Sequence, residues 1–192
     1  MGRTRTRGLA ALATTAAAAA VMLAAGPAGA TVIESGHYSN TYAFTYECDG
    51  FDVDVAGSDS GVFRVRAGKG KDASAFFLHD NYSYSETHTN TATGEFVTIT
   101  GNAVYNEVKA TRVSGNVFEF STRESGQPFR VYDSSGRLVL RDRGTIAGRF
   151  LFDTLGDDEP GGVPGPELEV VVHGPHPGFG IDRCDIVGSL TG

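Results

Sequence analysis

The sequence predicts an all-β protein with a single domain, folded as an antiparallel up-and-down β-barrel or, as the alternative, a β-sandwich. Segments in which apolar and polar residues alternate recur at intervals of roughly ten residues, and Gly, Asn, Asp, Ser and Pro separate them. The chain shows no regular alternation of strands with amphipathic helices, which excludes the doubly wound α/β folds. About nine to twelve short strands are therefore expected.

The clearest predicted strand covers residues 38–48. Its three tyrosines, one phenylalanine and Cys48 occupy even-numbered positions, and most of the positions between them hold Ser, Thr or Glu. Such strict alternation places one set of side chains on a buried face and the other in solvent. This strand is the natural start of the domain.

A hairpin is predicted next. Residues 51–55 and 63–67 both alternate, and the stretch 57–61, Gly-Ser-Asp-Ser-Gly, has the composition of a turn. In that hairpin the two aspartates of the first strand would lie opposite the two arginines of the second. Cross-strand pairs of opposite charge support such a register by tenths of a kcal/mol.

Residues 128–153 are predicted to form three short antiparallel strands. Their first connection, Asp133-Ser134-Ser135-Gly136, has turn chemistry throughout. An Asp side chain can bond to the backbone two residues on, and Gly takes the positive-φ position of a bulged hairpin. Gly144 marks the second turn.

The remaining segments are less regular. Residues 101–112 are predicted to be a strand rather than a short helix, because neither end has a good helix cap. Residues 168–172 and 179–187 are predicted to be the last two strands. Two loops are expected: a polar, solvent-exposed hairpin tip at 85–94 and an irregular, Gly- and Pro-rich loop at 154–167.

Residues 1–30 are expected to be a secretory signal peptide. Three early arginines precede an Ala-rich apolar run at 9–25, and the small residues 28–30 suit a signal peptidase. The Ala-rich run is weakly apolar for a membrane anchor, no Cys follows it for a lipid anchor, and the arginines are not adjacent as in a twin-arginine signal. We therefore expect cleavage near Ala30 and a secreted single domain, residues 31–192.

Charge and hydropathy limit the partners of that domain. Three of the 16 basic residues belong to the leader, so residues 31–192 carry a formal charge of 13 − 23 = −10. A clearly acidic chain repels phosphate backbones, so no nucleic-acid partner is expected. No second apolar stretch approaches the length of a membrane span. We expect a monomer without a cofactor.

The two cysteines, Cys48 and Cys184, are predicted to form a disulfide bond, because both lie in the exported part of the chain. The bond would close a loop of 136 residues. On the chain-entropy model, closing such a loop stabilises the fold by about 5 kcal/mol. Because Cys48 ends the first predicted strand and Cys184 lies in the last, the bond would hold those strands side by side, as a closed barrel needs.

Four features of the chain form a recognisable pattern. They are the Ala-rich leader, the segment 48–55 (Cys-Asp-Gly-Phe-Asp-Val-Asp-Val), the run 136–144 (Gly-Arg-Leu-Val-Leu-Arg-Asp-Arg-Gly) and Cys184 near the C-terminus. In this pattern the chain resembles small secreted all-β proteins of unassigned function that are common in high-GC Gram-positive bacteria. The resemblance covers most of residues 31–192 and implies a compact β-barrel. It implies no activity and no catalytic residue.

No catalytic motif is found. The stretch 57–61 places Asp59 where a Gly-x-Ser-x-Gly elbow has its nucleophile, and no helix follows it. Residues 68–71 lack the spacing of a phosphate-binding loop. Two carboxylates from distant strands would suffice for glycoside hydrolysis, but the chain has no Trp to stack on a sugar ring. We therefore predict that the protein is not an enzyme.

Two stretches contain metal-ligand residues but lack the geometry of a site. His173 and His176 with Asp182 and Asp185 offer zinc or copper ligands, but they surround a Gly-Pro turn. The acids at 157–159 offer oxygens to calcium without EF-hand spacing. We predict an exposed turn and a solvated loop, with no metal bound; the other three histidines are scattered and receive no role.

The aromatic residues are the feature most relevant to binding. Twelve Phe and seven Tyr all fall in residues 31–192. In a barrel of lipocalin-like or calycin-like shape, inward aromatics either fill the core or surround a small apolar ligand, and inward Tyr hydroxyls need polar partners. Without Trp, the Gly-x-Trp start of true lipocalins is missing. The predicted ligand cavity is lined by Tyr38, Tyr42, Phe44, Tyr46, Phe118, Phe120, Phe150 and Phe152.

The sequence thus predicts a secreted, non-enzymatic β-barrel that binds a small apolar ligand or a cell-surface partner. The alternative is an extracellular structural or protein-interaction module with a filled core and with its function in the loops 85–94 and 154–167. A hydrolase with an unrecognised site is the weakest of the three interpretations.

Overall fold

The computed structural model describes residues 31–69 and 74–191, which form eight strands and one C-terminal helix. The predicted leader, 1–30, lies outside the described residues. The elements are β1 (Val32–Cys48), β2 (Phe51–Ala67), β3 (Phe76–Asn90), β4 (Phe96–Ser114), β5 (Val117–Tyr132), β6 (Leu138–Arg141), β7 (Gly144–Asp153), β8 (Val163–His173) and α1 (Arg183–Thr191).

All eight strands hydrogen-bond into one antiparallel sheet, so the all-β prediction is confirmed. The order is β1-β2-β3-β4-β5-β7-β8, with β6 paired to the end of β5. Within the described residues, β1 and β8 are the edges and do not pair with each other, so the sheet is not closed. The predicted barrel is therefore wrong. The lack of closure agrees with the β-sandwich alternative or with an open sheet.

The sheet stays open at its edges, and the predicted last strand, 179–187, is a turn followed by α1. Asp182 caps this helix: its carboxylate accepts a hydrogen bond from the backbone N–H of Cys184 at 2.8 Å. The predicted Cys48–Cys184 disulfide is confirmed, with 5.5 Å between the two Cα atoms. It joins the end of β1 to a helix, and not to a neighbouring strand.

The predicted hairpin within 51–67 is also wrong, because β2 runs unbroken through the stretch 57–61 and pairs with β1 along its length. The aspartates and arginines of β2 therefore lie on one strand and do not face each other. Asp54 lies opposite Thr45 and accepts a hydrogen bond from its hydroxyl at 2.6 Å.

Other local predictions are confirmed. Asp133 accepts hydrogen bonds from the backbone N–H groups of Ser135 and Arg137 at 3.1 and 3.0 Å, and Gly136 has a φ of +80°. Residues 101–112 are part of β4. Both predicted loops are shorter than expected, because β3 continues to Asn90 and β8 already begins at Val163.

The apolar core has two parts. Helix α1 packs Ile186 and Val187 against a first cluster, Val53, Val55, Val97, Ile99 and Val131. A second cluster holds Ala75, Ala110, Phe118 and Phe120. Burial of each large apolar side chain is worth roughly 1.5–3 kcal/mol.

We call the side of the sheet that carries Val53 and Ile99 the helix face, and the opposite side the outer face. Across 31–69 and 74–191, no helix is both long and apolar enough to span a membrane.

Candidate functional site

Five tyrosines of β1 and β3 form a belt on the helix face, which we call the tyrosine belt. Each hydroxyl reaches across the neighbouring strand to a partner two strands away. The pairs are Tyr38 with Asp80 (2.8 Å), Tyr42 with Glu86 (2.9 Å), Tyr46 with His88 (3.1 Å), Tyr82 with Glu124, and Tyr84 with the carbonyl of Pro128 (3.0 Å). A half-buried Tyr hydroxyl needs such a partner, so the belt satisfies its own polar groups within the sheet.

Glycines on the intervening strands make room for these rings. Tyr42 lies directly opposite Gly57, and a Cβ there would sit 2.5 Å from the Tyr42 ring. Gly61 opposite Tyr38 and Gly101 opposite Tyr84 have the same relation to their tyrosines, with approaches below 2.5 Å. Gly weakens a strand interior unless another group packs closely over it, which is the situation here.

Glu86 and His88 form the buried centre of the belt, with exposures of 7% and 0%. The imidazole Nε2–H donates to Glu86 at 3.0 Å, and its Nδ1 accepts from the Tyr46 hydroxyl. The other carboxylate oxygen accepts from Tyr42, and the guanidinium of Arg183 on α1 lies 3.7 Å from Glu86. The hydrogen bond from His88, then that from Tyr42 and the charge of Arg183, lower the pKa of Glu86 although burial opposes this.

In this centre a carboxylate, an imidazole and a hydroxyl are hydrogen-bonded in series. Burial raises the pKa of Tyr46, and burial with the Glu86 hydrogen bond raises the pKa of Tyr42 to about 12. Both phenols stay protonated at neutral pH. The network ties β1, β3 and the start of α1 together.

Four phenylalanines of β5 and β7 form a second aromatic group on the helix face. Phe118 lies opposite Phe152, and Phe120 opposite Phe150. Phe120 stacks on Phe150 with ring centroids 5.6 Å apart and meets Phe152 edge-on at 5.8 Å. Such offset and edge contacts each add roughly 0.5–1.5 kcal/mol beyond the area that they bury.

A cavity of about 270 Å³ lies beside these phenylalanines. An apolar cavity of roughly 150 Å³ already admits benzene, so this volume accommodates a small apolar molecule. The loop after β7 forms part of the wall and approaches closely: a Cβ on Gly162, whose φ is +144°, would lie 2.6 Å from the Phe152 ring. The lining residues are Val65, Phe76, Leu78, Glu107, Phe120, Phe152, Pro160 and Gly161.

Glu107 is the only residue with an ionisable side chain in that lining. Its carboxyl accepts a hydrogen bond from the backbone N–H of Leu78 at 2.7 Å. Burial raises the pKa of Glu107, against the opposing effects of the hydrogen bonds from Leu78 and Tyr105. The cavity is therefore apolar with a single polar point, the arrangement that orients a small ligand.

The structure separates the eight residues of the predicted ligand cavity into two groups. Tyr38, Tyr42, Phe44 and Tyr46 lie on the edge strand β1, and the four phenylalanines lie on β5 and β7. β1 and β5 are four strand spacings apart, roughly 19 Å along the sheet. The three tyrosines bond within the belt, and Phe44 is 45% exposed. Phe120 and Phe152 alone contribute to the 270 Å³ cavity.

The residues considered for metal binding are also dispersed. His176 is buried 3.7 Å from Asp142, whereas His173 is exposed at the end of β8. Asp182 caps α1, and the acids at 157–159 are exposed. In the described part of the chain, no three His, Cys, Asp or Glu side chains come together as a metal site.

Sequence reasoning missed Glu86, His88 and Glu107. The first two fall in the stretch predicted to be a solvent-exposed tip, yet they continue the period-two pattern of Tyr82 and Tyr84. That continuation was the available signal. Glu107 carries no comparable signal, because only the fold places it under the loop after β7.

A second apolar depression, of about 390 Å³, lies between α1 and the β5–β6 hairpin. It is lined by Val131, Val139, Leu140, Ile181, Asp185, Ile186, Ser189 and Leu190. We call it the α1 groove. It lies at the other end of β5 from the phenylalanine cavity and shares no residue with it.

No protein-family model, no curated protein and no solved structure matches the chain. Function is therefore inferred from the geometry of the described residues.

Proposed function

We propose that the protein is a secreted, non-enzymatic binding protein that holds a small apolar molecule in the cavity beside Leu78, Phe120 and Phe152. The observation that carries this proposal is the cavity itself, a space of about 270 Å³ with a mostly apolar lining and one half-buried carboxyl group. Ligand pockets have this character: a large apolar surface with few polar groups that fix orientation. The Cys48–Cys184 disulfide is compatible with an oxidising, extracytoplasmic location.

The ligand class follows from the lining. Three phenylalanine rings and four aliphatic or small residues favour a planar or alkyl body through dispersion contacts. Glu107, with its raised pKa, offers a carboxyl group for one hydrogen bond at the end of the ligand. A small aromatic molecule with one amine or hydroxyl group fits both requirements.

The proposal is tested with N-phenyl-1-naphthylamine, a fluorescent apolar amine, titrated into residues 31–192. Leu78→Trp fills the cavity wall and should abolish the fluorescence gain. Ser189→Trp, which fills the α1 groove instead, is the matched control and should leave binding unchanged. Thermal unfolding of both variants confirms that each is folded.

Three results overturn the proposal. Binding that survives Leu78→Trp and fails in Ser189→Trp would move the ligand to the α1 groove. Binding that survives in both would place the probe elsewhere on the surface. No binding to the unsubstituted protein would favour a filled core and the alternative of an interaction module.

A further inference from the structure

The outer face of the sheet carries a row of basic and amide side chains across four strands. Arg64 lies opposite His79, His79 opposite Asn106, and Asn106 opposite Arg123. Directly opposed residues share a face, so the four side chains form a line. With neighbouring strands about 4.8 Å apart, the line spans roughly 14 Å from Arg64 to Arg123.

The donors of the row that face solvent are the guanidinium groups of its two ends, whereas His79 and Asn106 are half-buried. Arg64 and Arg123 are exposed, and among the described residues neither forms an ion pair. His79 Nδ1 is hydrogen-bonded to the Asn106 side-chain oxygen, which leaves the amide N–H₂ of Asn106 free to donate outward.

A second, uncharged row crosses the same face of the sheet, four residues along each strand from the first row. Ser60, Ser83, Asn102 and Gln127 are opposed in sequence across β2, β3, β4 and β5. The hydroxyls of Ser60 and Ser83 lie 3.2 Å apart, and Ser60, Ser83 and Asn102 are exposed. Small hydroxyl and amide groups in register both donate and accept, as sugar hydroxyl groups require.

The acidic side chains of the outer face do not neutralise the basic row. Asp54 is ten residues from Arg64 along β2, roughly 34 Å away. Glu119 and Glu169 are held by Arg149 at 3.0 and 2.8 Å. The centre of this face is therefore basic in a chain that is acidic as a whole, which is a local charge complementary to an anion.

We propose that the outer face binds an anionic polysaccharide, with Arg64 and Arg123 on its acid groups and the Ser60–Gln127 row on its hydroxyl groups. The two arginines, separated by three strand spacings or roughly 14 Å along the sheet, favour a polymer that contacts both over a single small anion. Nucleic acid fits less well, because the two rows hold no Phe, Tyr or Trp side chain for base stacking. This site is independent of the phenylalanine cavity, which lies on the helix face.

The test measures binding of polygalacturonate to residues 31–192 by isothermal titration at about 20 mM and about 150 mM NaCl, since counterion release makes such binding salt-dependent. Arg64→Gln and Arg123→Gln should each weaken binding at least about fivefold. Arg143→Gln makes the same change in net charge at an exposed site outside the two rows, and should change the Kd less than about twofold.

Neutral dextran, polyglutamate and a single-stranded oligonucleotide complete the experiment. The proposal predicts that dextran does not bind and that polyglutamate binds more weakly than polygalacturonate, because it lacks sugar hydroxyl groups. It is overturned if polygalacturonate fails to bind at low salt, or if Arg143→Gln weakens it as much as Arg123→Gln. Equal or tighter binding of polyglutamate or of the oligonucleotide would replace the polysaccharide with an acidic protein or a nucleic acid.

Discussion

The ring of Tyr42 lies across Gly57 on the neighbouring strand, and its hydroxyl donates to Glu86 on the strand beyond. The three residues stand in one cross-strand row, since Gly57 is opposite both Tyr42 and Glu86. The missing side chain at Gly57 is what allows the phenol to reach a buried carboxylate. The same relation makes Gly57 a structural position within β2, although its sequence context is that of a turn.

Gly57→Ala should destabilise the protein by about 1–3 kcal/mol, because its Cβ would lie 2.5 Å from the Tyr42 ring and the ring must move. Urea unfolding measures the change. Gly188→Ala is the matched control: its Cβ would meet the Phe51 ring at an ordinary 3.5 Å, and Ala is favoured over Gly in a helix by about 1 kcal/mol. Equal destabilisation of the two variants would contradict this account of the belt.

Cys48→Ala/Cys184→Ala should lower the free energy of unfolding by about 2–5 kcal/mol, because the bond closes a long loop and fastens α1 to β1. Urea unfolding with and without a reductant measures this. The reductant should destabilise the original protein and leave the double variant unchanged. Sensitivity of the double variant to reductant would show that the effect does not come from this bond.

The lowered pKa of Glu86 predicts that the protein loses stability at acidic pH. Its pKa is lowered in the folded state below the ordinary value of 4.5, chiefly by the hydrogen bond from His88. The resulting stabilisation is present above the unfolded pKa and is lost as the pH falls through the folded one. Glu86→Gln should therefore lose less stability than the original protein between about pH 5 and about pH 3, measured as Tm. Parallel curves for the two proteins would refute this assignment.

The raised pKa of Glu107 predicts the opposite dependence of stability on pH. Burial raises its pKa, so the folded state favours the protonated carboxyl, and the associated stability is lost as the pH rises from the unfolded pKa through the folded one. Glu107→Gln retains an oxygen to accept from Leu78 N–H and removes the charge. The variant should gain stability relative to the original protein as the pH is raised from about 4 to about 7. A variant that loses stability over this range would mean that the ionised carboxylate is favoured in the fold.

Phe118 and Phe44 should respond differently to the same substitution. Phe118 is fully buried in the second core cluster, so Phe118→Ala should cost about 3–5 kcal/mol. Phe44 is 45% exposed on the edge strand, and Phe44→Ala should cost well under about 2 kcal/mol. Denaturant unfolding of the two variants gives the comparison. Similar costs would indicate that Phe44 is buried by a contact beyond the described residues.

The features that the sequence predicted correctly are those that depend on neighbouring residues or on counting. The alternation at 38–48 lies within β1, and the Asp133–Gly136 turn forms because its groups are a few residues apart. The pairing of Cys48 with Cys184 needed only the fact that the chain has two cysteines. The ligand cavity itself stays a prediction, although Phe120 and Phe152, on one face of adjacent strands, both line the 270 Å³ cavity.

The features that only the tertiary structure decided depend on contacts between distant segments. The glycines at 57 and 61 have turn composition, but the rings of Tyr42 and Tyr38 pack over them and keep β2 extended. Residues 183–191 form a helix because Asp182 caps its start and the apolar side of the sheet receives Ile186 and Val187. With that segment on a face of the sheet, no strand remains in the described chain to join β1 to β8. Local alternation thus determined that this protein is made of antiparallel strands, whereas packing across the sheet determined that the sheet they form is not closed.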